Sequence, residues 1–177
     1  VDESARIAEK STFELCRELV SVLSARRETL AVCESLTAGL CAARIADVPG
    51  ASAVLRGGFI TYATDLKESL AGVSTATVED DGVVSAQCVR EMARGAQRRC
   101  DASWGLSLSG VAGPDSQDGH PAGTVFIGLA GPEGIRAVRA GGEEGLKGSR
   151  HEIREQAVSH AIGLLLLSIK EAQATDG

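Results

Sequence analysis

The chain has 177 residues, 44% hydrophobic and 24% charged, the composition of one globular domain with a sizeable core. Lys plus Arg number 18 against 24 Asp plus Glu, a net charge of −6, and aromatics are only 3%. That balance, without a basic block, argues against nucleic-acid or anionic-membrane partners and against base-stacking platforms.

The longest apolar run, Ala161 to Ile169, falls short of the ~20 residues of a spanning helix. The N-terminus, VDESARIAEK, is polar and of mixed charge, unlike a secretory signal, and residues 1–10 read as a loosely ordered extension. The absent initial Met suggests that a few residues are trimmed. Without Asn there is no N-glycosylation acceptor. Cys16, Cys33, Cys41, Cys88 and Cys100 are odd in number and show no C-x-x-C spacing. They read as small buried hydrophobes with reduced thiols, which points to the cytoplasm.

Helices and strands alternate along the chain. Ser11 to Arg26 carries a helical apolar stripe, with Ser11 and Glu14 spaced as a capping box. Leu30 to Cys33 reads as a strand, Thr37 to Ala46 as an Ala-rich helix stopped by Pro49-Gly50. Gly58 to Tyr62 reads as a strand, and Thr64 as the cap of a short helix from Asp65 to Ala71. Ser85 caps a helix from Ala86 to Arg99. Trp104 to Ser109 is a strand, and Gly110 to Gly123 a long Gly/Pro/Asp loop. Thr124–Ala130 and Ile135–Ala140 flank a hairpin turn, and a last helix runs from Ser149 to Glu171. This order predicts a single layered α/β/α domain with a mixed sheet over 1–177.

Walker A, G-x-G-x-x-G and G-x-S-x-G motifs are absent. His120, His151 and His160 show no metal-ligand spacing and read as structural or surface residues. The chemistry-bearing segments are turns beside strands, where ligand crevices form in open α/β sheets. Ser35, at the end of the first strand and before a helix, fits a nucleophile beside unpaired N–H groups, or with Thr37 a simple helix cap. Tyr62 and Lys67 are spaced to assist it: serine amidases without His use Lys or Tyr to take the serine proton. A lysine near a positive helix end has its pKa lowered by polarity as well as burial. The plainer reading is a surface Lys and a half-buried Tyr. Ser109 and Gly110 open a loop longer than a mere connection needs. Arg150 and Arg154, at i, i+4, share a helix face and either grip an anion or pair with Glu152 and Glu155.

Taken in order, these segments resemble the CinA C-terminal-domain family. The resemblance is carried by Val32-Cys33-Glu34-Ser35-Leu36-Thr37-Ala38-Gly39-Leu40, Pro49-Gly50-Ala51-Ser52, Gly58 through Tyr62 with Lys67, and Leu70-Ala71-Gly72-Val73. Further on it is carried by Gly82 to Ser85, Ser109 through Asp115, Pro121 to Val125 and Gly148 through Arg154. The sequence lacks the molybdopterin-binding-like domain of full-length CinA and so looks like the family's stand-alone form.

The resemblance implies hydrolysis of the carboxamide of nicotinamide mononucleotide (NMN), giving nicotinate mononucleotide and ammonia, with no metal and no cofactor. The proposed catalytic set falls on Ser35, Tyr62 and Lys67: Ser35 attacks the carboxamide, and Lys67, through Tyr62 or directly, moves the proton. N–H groups at Thr37, Ala38 and Gly39 are the implied oxyanion hole or phosphate cradle. Thr37, Ser109, Gly110, Arg150 and Arg154 are the implied substrate-orienting groups. The family analogy also favours a homodimer or larger assembly. Ala38, where Gly is often found, adds a methyl that matters if the site needs φ > 0. The alternatives are a catalytically silent nucleotide-binding domain, a competence- or DNA-damage-related regulatory domain, and hydrolysis of another small amide.

Overall fold

The computed structural model describes residues 9–175; the expected extension at 1–10 lies almost wholly outside them. Helix α1 (Thr12–Arg26) begins at the capping box, with Ser11 Oγ accepting the Glu14 N–H and Glu14 accepting the Ser11 N–H at 2.8 Å. Its buried stripe is Leu15, Cys16, Leu19, Val20 and Leu23. The fully buried strand β1 (Leu30–Glu34) leads to α2 (Leu40–Ala46). A 3-10 turn at Ala51–Ala53 then precedes β2 (Leu55–Ile60). A short α3 (Thr64–Ser69) and a π-type turn at Thr77–Asp81 lead to α4 (Ala86–Arg99). Strands β3 (Trp104–Gly110), β4 (Val125–Gly131) and β5 (Gly134–Arg139) follow, and α5 (Arg150–Thr175) closes the fold.

The sheet order is β2-β1-β3-β4-β5. β1 lies parallel to β2 and β3, while β4 and β5 each run antiparallel to the strand before. The sheet is therefore mixed, as predicted. Alternation along β1 sends Leu30 and Val32 into the core under α1, α2 and α5, and Ala31 and Cys33 into the core under α4. Helix α4 lies very close to the sheet. A Cβ on Gly105 would meet the Ala93 carbonyl at 2.0 Å, and one on Gly128 the Val89 carbonyl at 2.1 Å. Those two glycines make the trough in which the helix backbone sits.

From β1 the chain crosses to β2 on one side and returns to β3 on the other. This is the strand reversal at which ligand crevices open in α/β sheets, beyond the carboxyl ends of the strands. Ser35 follows β1 there, Ser109 is the last residue but one of β3, and Thr61 and Tyr62 follow β2.

Several boundaries differ from the sequence reading. β2 spans Leu55–Ile60 because its parallel partner β1 ends at Glu34, which leaves Tyr62 in the following turn. α3 has Ala63 at its N-cap, so Thr64 is inside the helix and caps nothing. α2 starts at Leu40, not Thr37, because Ala38 (φ 49°) and Gly39 (φ 96°) turn the chain through the left-handed region. The expected cap of α4 is present, Ser85 Oγ accepting the Cys88 N–H at 3.1 Å.

Candidate active site

Ser35 sits where β1 stops. Its N–H donates to the Leu108 carbonyl at 2.9 Å, tying it to the end of β3. Lys67 reaches the same point from α3. It is 2% exposed, and its Nζ lies 3.1 Å from Ser35 Oγ, 2.7 Å from the Thr61 carbonyl and 3.4 Å from the Tyr62 carbonyl. Burial lowers the Lys67 pKa, opposed by smaller effects of the Cys88 and Cys33 thiols. The cause differs from the sequence reading: Lys67 lies in the last turn of a six-residue helix, so its position there supplies no positive helix end. In the neutral amine two N–H groups satisfy the two carbonyls. As an ammonium Lys67 donates to Ser35 Oγ as well; only in the neutral amine does a lone pair face Ser35 and become able to accept its hydroxyl proton.

Tyr62 does not stand between Lys67 and Ser35. Its ring is 56% exposed, against the half-buried expectation, and its hydroxyl accepts from Arg150 Nη2 at 2.9 Å. Only its carbonyl touches the lysine, so the contact between Lys67 and Ser35 is direct. Arg150 Nη1 also donates to the Gly113 carbonyl at 2.8 Å, and the guanidinium spans the mouth of the cleft from α5 to two loops.

The helix-start cradle expected at Thr37, Ala38 and Gly39 is not open. The buried Glu34 carboxylate accepts from the N–H groups of Gly39 and Cys41, each at 3.0 Å, and of Ala42 at 2.9 Å. The Ala38 N–H is taken by the Ser35 carbonyl. The Leu36 and Thr37 N–H groups retain no hydrogen bond among the described residues, and Leu36 lines the cleft. Thr37 Oγ1 is buried without a partner, so Thr37 is not a side-chain cap. Glu34 was missed in the sequence as a capping group because it lies six residues before the helix it closes.

Arg150 and Arg154 diverge. Arg154 donates from Nε to the Leu36 carbonyl and from Nη2 to the Thr37 carbonyl, both at 3.0 Å, and holds the loop after Ser35 from behind. It does not line the cleft. Neither arginine pairs with the glutamates beside it: Glu155 binds Arg44, and Glu152 accepts the Ser149 N–H. Ser109 and Gly110 do line the cleft, and Ser109 Oγ donates to the Val83 carbonyl at 2.7 Å. Val83, Val84, Thr64, Ala112 and Gln117 complete the wall; Val83, Val84 and Ala112 lie in segments that carry the family resemblance, but none of the five was singled out as a site residue.

The cleft holds about 70 Å³. A hollow of about 400 Å³ between β5 and α5 is larger but mainly apolar and has no activated nucleophile. Chemistry rather than size marks the site. His151 and His160 are exposed on α5 and His120 sits in the loop after β3; none lines the cleft. Among the described residues no group of three His, Cys, Asp or Glu side chains is placed to hold a metal, and no helix is long and apolar enough to cross a membrane.

The comparisons with known proteins agree with this architecture. The sequence model of the CinA C-terminal domain matches residues 12–169, and the chain belongs to that family. A CinA-like protein of Frankia casuarinae is 46% identical over 149 residues, covering 83% of this chain and 33% of the relative. A competence-damage inducible relative from Streptococcus pneumoniae is 42% identical, covering 83% of this chain and 34% of its own length. The chain thus spans about a third of the curated relatives it matches. Among solved structures, a CinA superfamily protein of Klebsiella pneumoniae superposes with a TM-score of 0.86 at 29% identity, covering 92% of this chain and 99% of that one. A competence/damage inducible protein of Agrobacterium tumefaciens gives 0.83 at 30% identity, covering 90% and 95%.

Proposed function

We propose that the chain is a serine amidohydrolase acting on the carboxamide of NMN, yielding nicotinate mononucleotide and ammonia. One observation carries the reading: a buried lysine whose pKa is lowered by burial lies 3.1 Å from a serine hydroxyl at a strand end. A serine is a weak nucleophile until an adjacent base takes its proton, and this pair has that geometry.

In the proposed reaction neutral Lys67 accepts the Ser35 proton as Oγ bonds to the carboxamide carbon. The oxygen that becomes negative meets the Leu36 N–H, the donor following the nucleophile. The C–N bond breaks as the Lys67 ammonium returns its proton to the leaving nitrogen, which departs as ammonia. Water, deprotonated by the same lysine, then attacks the ester and releases the carboxylate and Ser35. A cleft of about 70 Å³ is far below the roughly 300 Å³ at which small-molecule pockets begin. It takes the amide end, so the ribose and phosphate lie at the mouth beside Tyr62 and Arg150. Arg150 supplies the cation for the phosphate.

The test is ammonia release from NMN by purified wild type and by Ser35→Ala. Wild-type release that falls by at least about 10³-fold in the variant is the expected result. Release that survives the substitution keeps an enzyme but removes this mechanism. NMN binding without release leaves the nucleotide-binding reading in its place.

A further inference from the structure

We propose that Glu34 is a positioning residue for the nucleophile, a role that rests on reading Ser35 as that nucleophile. Glu34 is the last residue of β1 and is 1% exposed. A buried carboxylate is costly unless its oxygens are filled with donors, and here three backbone N–H groups of the α2 start fill them. The loop between, Ser35 to Ala38, is therefore anchored to Glu34 at both ends. At its start the anchor is the peptide bond; at its end it is the hydrogen bonds to Gly39, Cys41 and Ala42.

Other contacts leave that loop little freedom. The Ser35 N–H is held by Leu108, its carbonyl accepts from the Ala38 N–H at 3.0 Å, and Arg154 holds the Leu36 and Thr37 carbonyls. An ordinary capping residue would sit at position 39, directly before the helix. Here the capping group comes from the residue preceding Ser35, so the position of α2 and the position of the nucleophile are set by the same side chain. Glu34 lines no part of the cleft and touches no reacting atom. Its effect reaches the reaction only through the placement of Ser35 against Lys67.

The test is Glu34→Gln, which keeps the shape but turns an amide NH₂ toward a backbone N–H, donor against donor. A crystal structure of the variant is expected to show Ser35 Oγ beyond hydrogen-bond distance of Lys67 Nζ. The kcat for ammonia release is expected to fall roughly 10–100-fold with KM within about twofold, as for a displaced reacting group. Glu34→Asp, which keeps the charge but shortens the reach by one methylene, is read the same way if the Gln variant does not fold. A folded variant that keeps the Ser35–Lys67 contact overturns the proposal whatever its rate. Wild type inactive on NMN would sink the substrate reading, while the variant's geometry would still decide the role of Glu34.

Discussion

Lys67 determines how the site responds to pH. Burial lowers its pKa in the folded chain, while the unfolded chain returns it to the ordinary lysine value of about 10.4. Below the folded pKa both states hold the proton, and the full burial cost weighs on the fold. Between the two values the unfolded state binds one proton more, so stability rises with pH; above both, the cost is gone. The stability of Lys67→Met relative to wild type is therefore expected to fall as pH rises through the window between the two values, measurable by urea denaturation across a pH series. For the proposed amidase, kcat/KM should rise with pH through a single ascending limb centred below the ordinary lysine value, and a flat profile would remove Lys67 as the base. The second residue-scale prediction concerns Ala38, held at φ 49°. A left-handed Ala costs roughly 1–2 kcal/mol and an added Gly about 0.5–1 kcal/mol of chain entropy. Ala38→Gly should thus gain up to about 1 kcal/mol, read as a shift in the urea midpoint. Ser35, Lys67, Ser109 and Arg150 were legible from residue type and from their place at strand and helix ends. The partner of the Tyr62 hydroxyl was not, because it lies 88 residues away.

At the scale of elements, the helix–sheet contact under α4 depends on what β3 and β4 lack. Ser107, between Gly105 and the end of β3, donates its hydroxyl to the Val89 carbonyl at 2.6 Å, in the same trough. A methyl at Gly128 would meet that carbonyl at 2.1 Å, which neither backbone can relieve by a rotamer change. Gly128→Ala should cost about 3 kcal/mol or more, at the upper end of overpacking, measured by thermal and urea unfolding. A small effect would mean that α4 can lift from the sheet. Most elements were legible in the pattern: the capping box at Ser11 and Glu14 and the hairpin around Gly131 to Gly134 appear as read, while the stripe of α1 buries Leu15 where the periodicity had pointed to the exposed Phe13. The start of α2 was misread. An Ala-rich run carries no stop signal at Thr37, and the sequence gives no hint that Glu34 folds back onto residues 39 to 42.

At the scale of the molecule, two cores divided by one sheet bury most of the thiols. Cys16, Cys33, Cys41 and Cys88 are buried and free, while Cys100 is partly exposed. Burial pushes Cys16 and Cys33 up to about 11, Cys88 up to about 12, and Cys41 well above the usual thiol range. A thiolate reagent at mildly alkaline pH should therefore label Cys100 first, with the other four appearing only at the rate of unfolding. Prompt labelling of several thiols in the native protein would contradict this packing. The last helix acts across the same scale: Arg150 reaches the loops after β2 and β3, and Arg154 the loop after β1.

The sequence by itself determined the layered α/β architecture, because hydrophobic period and turn chemistry are local properties of the chain. Together with motif order it also determined the family, and it pointed to the residue types of the candidate site. Only the tertiary structure decided that Lys67 meets Ser35 directly, that Tyr62 turns to Arg150, that Arg154 holds a loop instead of facing the cleft, and that Glu34 closes α2. Each of those depends on a hydrogen-bond partner supplied by another strand end or helix, and a partner brought near by folding leaves no trace in local spacing.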